Sequence, residues 1–335
     1  MNVSMWVKAL QVIPRLSKDE WNKLDVISKW LIITRSAVLL ITFISAAIAG
    51  ILAFREGKFD LGLWLAMTIG LMFAHATNNL LNDITDYRRG VDKDNYFRAQ
   101  YGPQPLEHGL MTIKELSVYV VVTGLIAVAC GLYLVYVRGA VTLALMAAGA
   151  FFVLFYTWPL KYIGLGELAV IIVWGPLMVG GGYFAVTGDW SWQVVIASLP
   201  YALGATTIIF GKHVDKYLDD KAKGIHTLPV IIGERAGRYA VLAMMALQYV
   251  FTIYLVITGY FSPILLVVLL ALTAFPQVVP MYLNPKPKEM PKEYMMDIWP
   301  LWFVAAAFFH NKRFGLWYLL GMLVDAILRV AGVLH

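Results

Sequence analysis

Runs of about twenty apolar residues recur along almost the whole of this 335-residue chain. That repetition leaves few ways to fold. A spanning helix needs roughly 20 such residues, and inside lipid only helices or closed barrels satisfy their own backbone polar groups. The runs are continuous rather than alternating, as in AVLLITFISAAIAGILAF from residue 37, so they predict helices. Composition agrees: 60% of residues are hydrophobic and 14% are charged. A soluble domain carries about 25% charged residues, so too few are present to cover a globule of this size. The expectation is an all-α, polytopic membrane bundle of about nine transmembrane helices, a single domain over 1–335, with two pseudo-repeats around a central cavity.

Spans are predicted at about 36–54, 62–86, 113–136, 139–157, 166–186, 192–211, 238–258, 262–283 and 314–334. Segment 297–310 is too short to cross comfortably and reads as an interfacial or re-entrant helix, or as the start of a broken last span. Residues 1–30 show no signal peptide; the spacing of Trp6, Val7, Leu10, Val12, Ile13 and Leu16 predicts an interfacial amphipathic helix there. The lone Cys130 excludes an intramolecular disulfide. With the N-terminus in the cytoplasm, 23 of the 27 Lys and Arg fall on the inner side, leaving Arg55, Lys58, Arg138 and Arg329 outside. That asymmetry predicts orientation. It also accounts for the +6 net charge without nucleic acid as a partner, and no obligatory protein partner is implied.

Two inner loops, 82–112 and 211–235, hold most of the informative acids. At the end of the second span, Asn79 and Asp83, and Asn82 and Asp86, are each four apart, while Asp83 and Asp86 are three apart. On a helix these share one face. Two carboxylates and two carboxamides so close suit a hard cation; Mg²⁺ takes oxygen ligands, usually one or two carboxylates plus substrate phosphates. The simpler reading pairs the acids with Arg88 and Arg89. After the sixth span, Asp215 and Asp219 are four apart, followed by Asp220, with Lys212 and Lys216 at the same spacing beside them. That mixture suits a metal diphosphate, or merely an interfacial helix of i,i+4 ion pairs. Four helices separate the two clusters, so both end on one side. Together they predict parallel halves that face each other across a cavity and grip two metal ions and one diphosphate.

The string Asn79-x-x-Asn82-Asp83-x-x-Asp86-x-x-x-Gly90-x-Asp92 resembles the first motif of the UbiA-type intramembrane prenyltransferases, closest to the branch acting on 1,4-dihydroxy-2-naphthoate in menaquinone synthesis. Tyr156 to Glu167, Trp174 to Gly188 and Gly224 to Val230 are similar to that branch as well. The departures lie in the second motif. The branch has an Asn pair where this chain has Lys212-His213, and its two Asp fall at the positions of Lys216 and Asp220. Gln104 and Leu106 replace residues that are usually basic.

The resemblance implies Mg²⁺-dependent transfer of a polyprenyl group from its diphosphate to an aromatic acceptor, in a prokaryotic cytoplasmic membrane. Asp83, Asp86, Asp215, Asp219 and Asp220 are the expected metal ligands, the first four catalytic. Asn79, Asn82, Asp92, Lys161, Lys212, Lys216 and Tyr156 are expected at the substrate. Tyr183 is a second aromatic candidate. His75 is expected on the Asn shell or a backbone carbonyl, Glu107 and His108 as a lid pair or, more simply, in a solvated loop, and Asp325 with Arg329 as a structural pair. Rival readings are another acceptor (4-hydroxybenzoate, haem, homogentisate, chlorophyllide or a glycerol phosphate) or a secondary transporter, which would carry ionisable groups near the midplane.

Overall fold

The structure, a computed structural model, describes residues 2–94, 97–100, 102–292, 294 and 298–334. Among these residues the regular elements are all helical. Residues 1–30 do not form one helix. Three short helices, α1 (Val3–Gln11), α2 (Lys18–Asn22) and α3 (Val26–Ile33), precede the first span. The break follows from chemistry: Pro14 lacks a backbone donor, and Ser17 with Glu20 forms a reciprocal capping box that starts α2 afresh. Asp25 caps α3 and also accepts from Asn2 N and Trp6 Nε1, folding α1 back towards α3. Val3, Val7 and Leu10 of α1 remain exposed.

The spans follow as α4 (Ser36–Arg55), α5 (Leu61–Arg88), α6 (Ile113–Arg138) and α7 (Ala140–Phe155). The fifth, Gly166–Thr187, consists of α8 (Gly166–Ile172), a π-helical segment Val173–Gly180 containing Pro176, and α9 (Gly181–Thr187). Then come α10 (Trp192–Asp215), the short α11 (Tyr217–Ala222) and α12 (Leu228–Ile232), and α13 (Glu234–Ile257). Segment Pro263–Leu283 opens in 3₁₀ turns and ends as α14 (Phe275–Leu283); α15 (Phe303–Val330) closes the fold. Among the described residues seven helices are long and apolar enough to cross a membrane. The 16-residue α7 is shorter, and the 28-residue α15 carries Lys312, Arg313, Asp325 and Arg329.

The last element corrects the sequence reading. Residues 303–310 are neither re-entrant nor separate; of the three alternatives the start of the last span holds, but unbroken, since they are the first turns of α15, which begins well ahead of the expected 314. Asp297 itself lies outside the described residues.

Burial sorts the helices. In α10, 83% of the apolar window is buried, against 11% in α6. So α10 is the central post and α6 an outer wall that shows Val118, Val121, Val122 and Leu125 to lipid. At Gly204 of α10, an added Cβ would lie 1.9 Å from Asn311 Oδ1. Any side chain there would have to displace the Asn311 and Gln248 amides that pack against α10. At 28 residues, α5 spans about 42 Å at 1.5 Å per residue, longer than the ~30 Å hydrocarbon core. Its final turns, with Asp83 and Asp86, therefore fall at one membrane boundary.

Candidate active site

A cavity of about 560 Å³ opens among α5, α6, α7, the fifth span and the end of α10. Five cationic side chains (Arg35, Arg98, Lys161, Lys212 and Lys216) and three carboxylates (Asp83, Asp86 and Asp92) line one end. Most of the remaining wall is apolar, with Leu71, Leu145, Met178 and Trp174 among its residues.

The first motif faces this cavity as its spacing predicts: Asn79, Asn82, Asp83, Asp86 and Asp92 all line it. The carboxylates are neutralised, but not by Arg88 or Arg89. Arg35 binds Asp83 Oδ1, and Arg98 lies 3.7 Å from Oδ2. Lys161 Nζ donates to both oxygens of Asp86 at 2.9 Å. Asn82 bridges the two, accepting from Arg35 at 3.3 Å and donating to Asp86 Oδ2 at 3.0 Å. Asn79 donates to Thr34 O at 2.8 Å, leaving its amide oxygen as the acceptor for a ligand. Asp92 accepts from Gln104 Nε2 at 2.7 Å. Burial pushes the Asp92 carboxyl up to about 6, with the Asp86 charge adding to the shift.

Arg35 and Arg98 were missed in the sequence. Arg35 is the residue before α4 and takes a left-handed backbone at φ 56°, which costs a non-glycine residue ~1–3 kcal/mol. The visible signal was a single charge between two apolar helices. Nothing local marked Arg98.

The second motif departs from expectation. Asp215 does not line the cavity. Its carboxylate accepts from the backbone N–H groups of Trp302, Phe303 and Val304 at 2.9–3.2 Å, with Lys286 Nζ 3.5 Å away. It caps α15, where a negative charge complements the helix N-terminus. Asp219 is half-buried and off the cavity wall, its carboxyl raised first by burial and then by Asp220. Asp220 is fully buried behind Lys216, accepting from Lys216 Nζ at 2.9 Å and from Thr227 Oγ1 at 3.4 Å. Burial opposes the Lys216 charge, yet the Asp220 carboxylate holds it above the ordinary lysine range. From this motif Lys212, His213 and Lys216 reach the cavity, and none of its three acids does.

Other candidates sort clearly. Tyr156 lines the cavity, whereas Tyr183 packs in the apolar core. His75 bonds neither the Asn shell nor a backbone carbonyl; it pairs with Thr42 Oγ1 at 2.7 Å and stands edge-on to Trp174. His108 accepts from Gln104 N, and Glu107 is half-buried. Glu167 hydrogen-bonds His213 at 2.5 Å. Asp325 and Arg329 form their pair at 3.2 Å, joined by Arg55 at 3.4 Å.

A divalent cation fits the first motif. Among the described residues Asp83 Oδ2 is buried and accepts no hydrogen bond, with Arg98 3.7 Å away, and it shares the cavity wall with Asp86 and Asn79. Such oxygens suit a hard ion that takes its remaining ligands from phosphate. The second motif presents nitrogen cations to the same space and offers a metal no carboxylate.

Comparison with known proteins identifies the family and the fold. Residues 42–301 match the UbiA prenyltransferase family. The chain is 27% identical over 278 residues to the 1,4-dihydroxy-2-naphthoate octaprenyltransferase of Bacillus subtilis, covering 82% of this chain and 84% of that protein. It is 28% identical over 207 residues to UbiA prenyltransferase domain-containing protein 1 of Gallus gallus, covering 61% of each. Among solved structures, a UbiA homolog from Aeropyrum pernix K1 superimposes with a TM-score of 0.63 at 20% identity, over 85% of this chain and 97% of that one. A UbiA homolog from Archaeoglobus fulgidus, bound to GPP and Mg²⁺, gives 0.54 at 14% identity over 88% and 99%. With its lipid-facing apolar helices and a charged cavity end built on the first motif, this chain is an integral membrane protein and belongs to the UbiA prenyltransferase family.

Proposed function

We propose that this enzyme transfers a polyprenyl group from its diphosphate to 1,4-dihydroxy-2-naphthoate, with Mg²⁺ held at Asp83 and Asp86. One observation carries the reading: a single cavity joins a cation-rich polar end to a long apolar interior. That is the shape of a prenyl diphosphate. The charged groups gather at one end rather than at the midplane, which argues against a transporter.

The chemistry follows from the side chains. The allylic C–O bond breaks, and its electron pair leaves on the diphosphate. Lys161, Lys212, Lys216 and Arg35 are fixed cations where that charge grows, and such preorganised charge lowers the barrier more than mobile water would. Mg²⁺, when bound, supplies further Lewis-acid stabilisation of the same oxygens. The apolar wall keeps water from the prenyl cation. Trp174 and Tyr156 on that wall offer π faces, each worth ~0.5–2 kcal/mol to a cation. The acceptor ring carbon forms the new C–C bond. Loss of its carboxyl group as CO₂ returns the bonding pair to the ring and restores aromaticity.

The orientation proposed from Lys and Arg puts this end in the cytoplasm. Gln104, buried against Asp92, makes the acceptor end unlike the basic pattern of the naphthoate branch, so the test requires a panel. Purified protein with Mg²⁺ and radiolabelled prenyl diphosphate is offered 1,4-dihydroxy-2-naphthoate, 4-hydroxybenzoate or homogentisate. Lipid product with the naphthoate alone, lost in Asp83→Asn and with chelator, supports the assignment. Product with a different acceptor reassigns the substrate, and no product with any acceptor removes the reading.

A further inference from the structure

We propose that the second motif binds the diphosphate directly through the ammonium groups of Lys212 and Lys216, and that the enzyme works with one divalent cation, held at the first motif. The inference rests on the prenyl-transfer reading and changes how the leaving group is held.

Each acid of the second motif has a position that removes it from metal binding. Asp215 is committed to the three N–H groups at the start of α15, and its side chain is 0% exposed. Asp220 is fully buried off the cavity wall, behind Lys216, which donates to one of its oxygens. Asp219 lies off the wall. A magnesium site needs anionic or carbonyl oxygen at close range, and this wall offers ammonium instead. An ion there would meet like charge.

The same groups are well placed for phosphate. Lys212 lines the cavity and, among the described residues, makes no hydrogen bond or ion pair, so its donors are left to a ligand. Lys216 shares that wall one helical turn on and is steadied by Asp220. Lysine is a compact point charge suited to phosphate oxygens. During transfer these lysines receive the departing oxygens, and the broken C–O pair stays on the diphosphate.

The test counts metal without needing turnover. Full-length protein in lipid nanodiscs is titrated with Mn²⁺, a paramagnetic stand-in for Mg²⁺, in saturating inorganic diphosphate, and bound Mn²⁺ is counted by electron paramagnetic resonance. One Mn²⁺ per chain is expected, falling to none in Asp83→Asn and rising to two in Lys216→Asp. In parallel, diphosphate affinity is measured in EDTA. Wild type should bind, and Lys212→Gln, which breaks no internal contact and should fold, should bind at least tenfold more weakly. Two Mn²⁺ in wild type, or unchanged metal-free affinity in Lys212→Gln, overturns the single-metal site while leaving prenyl transfer standing. Wild type that binds neither Mn²⁺ nor diphosphate overturns both.

Discussion

Lys161 Nζ lies 2.9 Å from both carboxylate oxygens of Asp86, with the two side chains only 5% and 11% exposed. A residue 75 positions away thus neutralises the first motif from within the protein. The acids do not need a metal merely to coexist. In the proposed reading, a divalent cation there would instead be shared by protein oxygens and phosphate.

That pair gives a first prediction. Removing one partner of a buried ion pair costs ~3–5 kcal/mol, because the other charge is stranded. Lys161→Met should therefore lower the unfolding midpoint sharply in detergent. The double variant Lys161→Met/Asp86→Asn should recover most of that loss without recovering transfer. A double variant as unstable as the single one would show that the two groups are not coupled.

Asp215 behaves differently. As the cap of α15, its replacement by Asn should cost about 1–2 kcal/mol of stability. Prenyl transfer measured well below the unfolding midpoint should stay within a few-fold of wild type. A hundredfold fall in rate with the fold intact would place Asp215 among the reacting groups after all.

Asp92 makes stability depend on pH. Its carboxyl titrates near about 6 in the fold against ~3.9 in an unfolded chain. The folded state therefore holds this proton more tightly. Its contribution is fully present below about pH 4 and is lost as pH rises through 6. Above that, the ionised group costs on the order of 3 kcal/mol. Asp92→Asn should be more stable than wild type at pH 8, with the gap closing between pH 6 and pH 4. A gap that is constant with pH would mean Asp92 is not buried as the structure shows.

Gly149 lines the cavity from α7, and an added Cβ there meets nothing within 4 Å. Gly149→Leu should therefore fill apolar space that a prenyl tail would occupy. Turnover with a C40 diphosphate should drop at least tenfold more than turnover with a C10 diphosphate. Equal loss with both would place the tail elsewhere.

The sequence by itself determined the solvent and most of the helices. Apolar runs of membrane length can satisfy their backbones in lipid only by coiling, so the expected spans lie within a few residues of α4 to α14. It also determined the face of the first motif, because Asn79, Asn82, Asp83 and Asp86 sit on one rigid helix where spacing dictates direction. Tertiary structure decided the rest. Residues 212–220 straddle the end of α10 and the start of α11, where helical spacing no longer fixes which way a side chain points. There, competition for long-range partners turned Asp215 to α15, buried Asp220 against Lys216 and left the lysines on the cavity. Arg35 and Lys161 reach the acids from 48 and 75 residues away, contacts that arise only when packed helices bring distant charges into a space too dry to leave them alone.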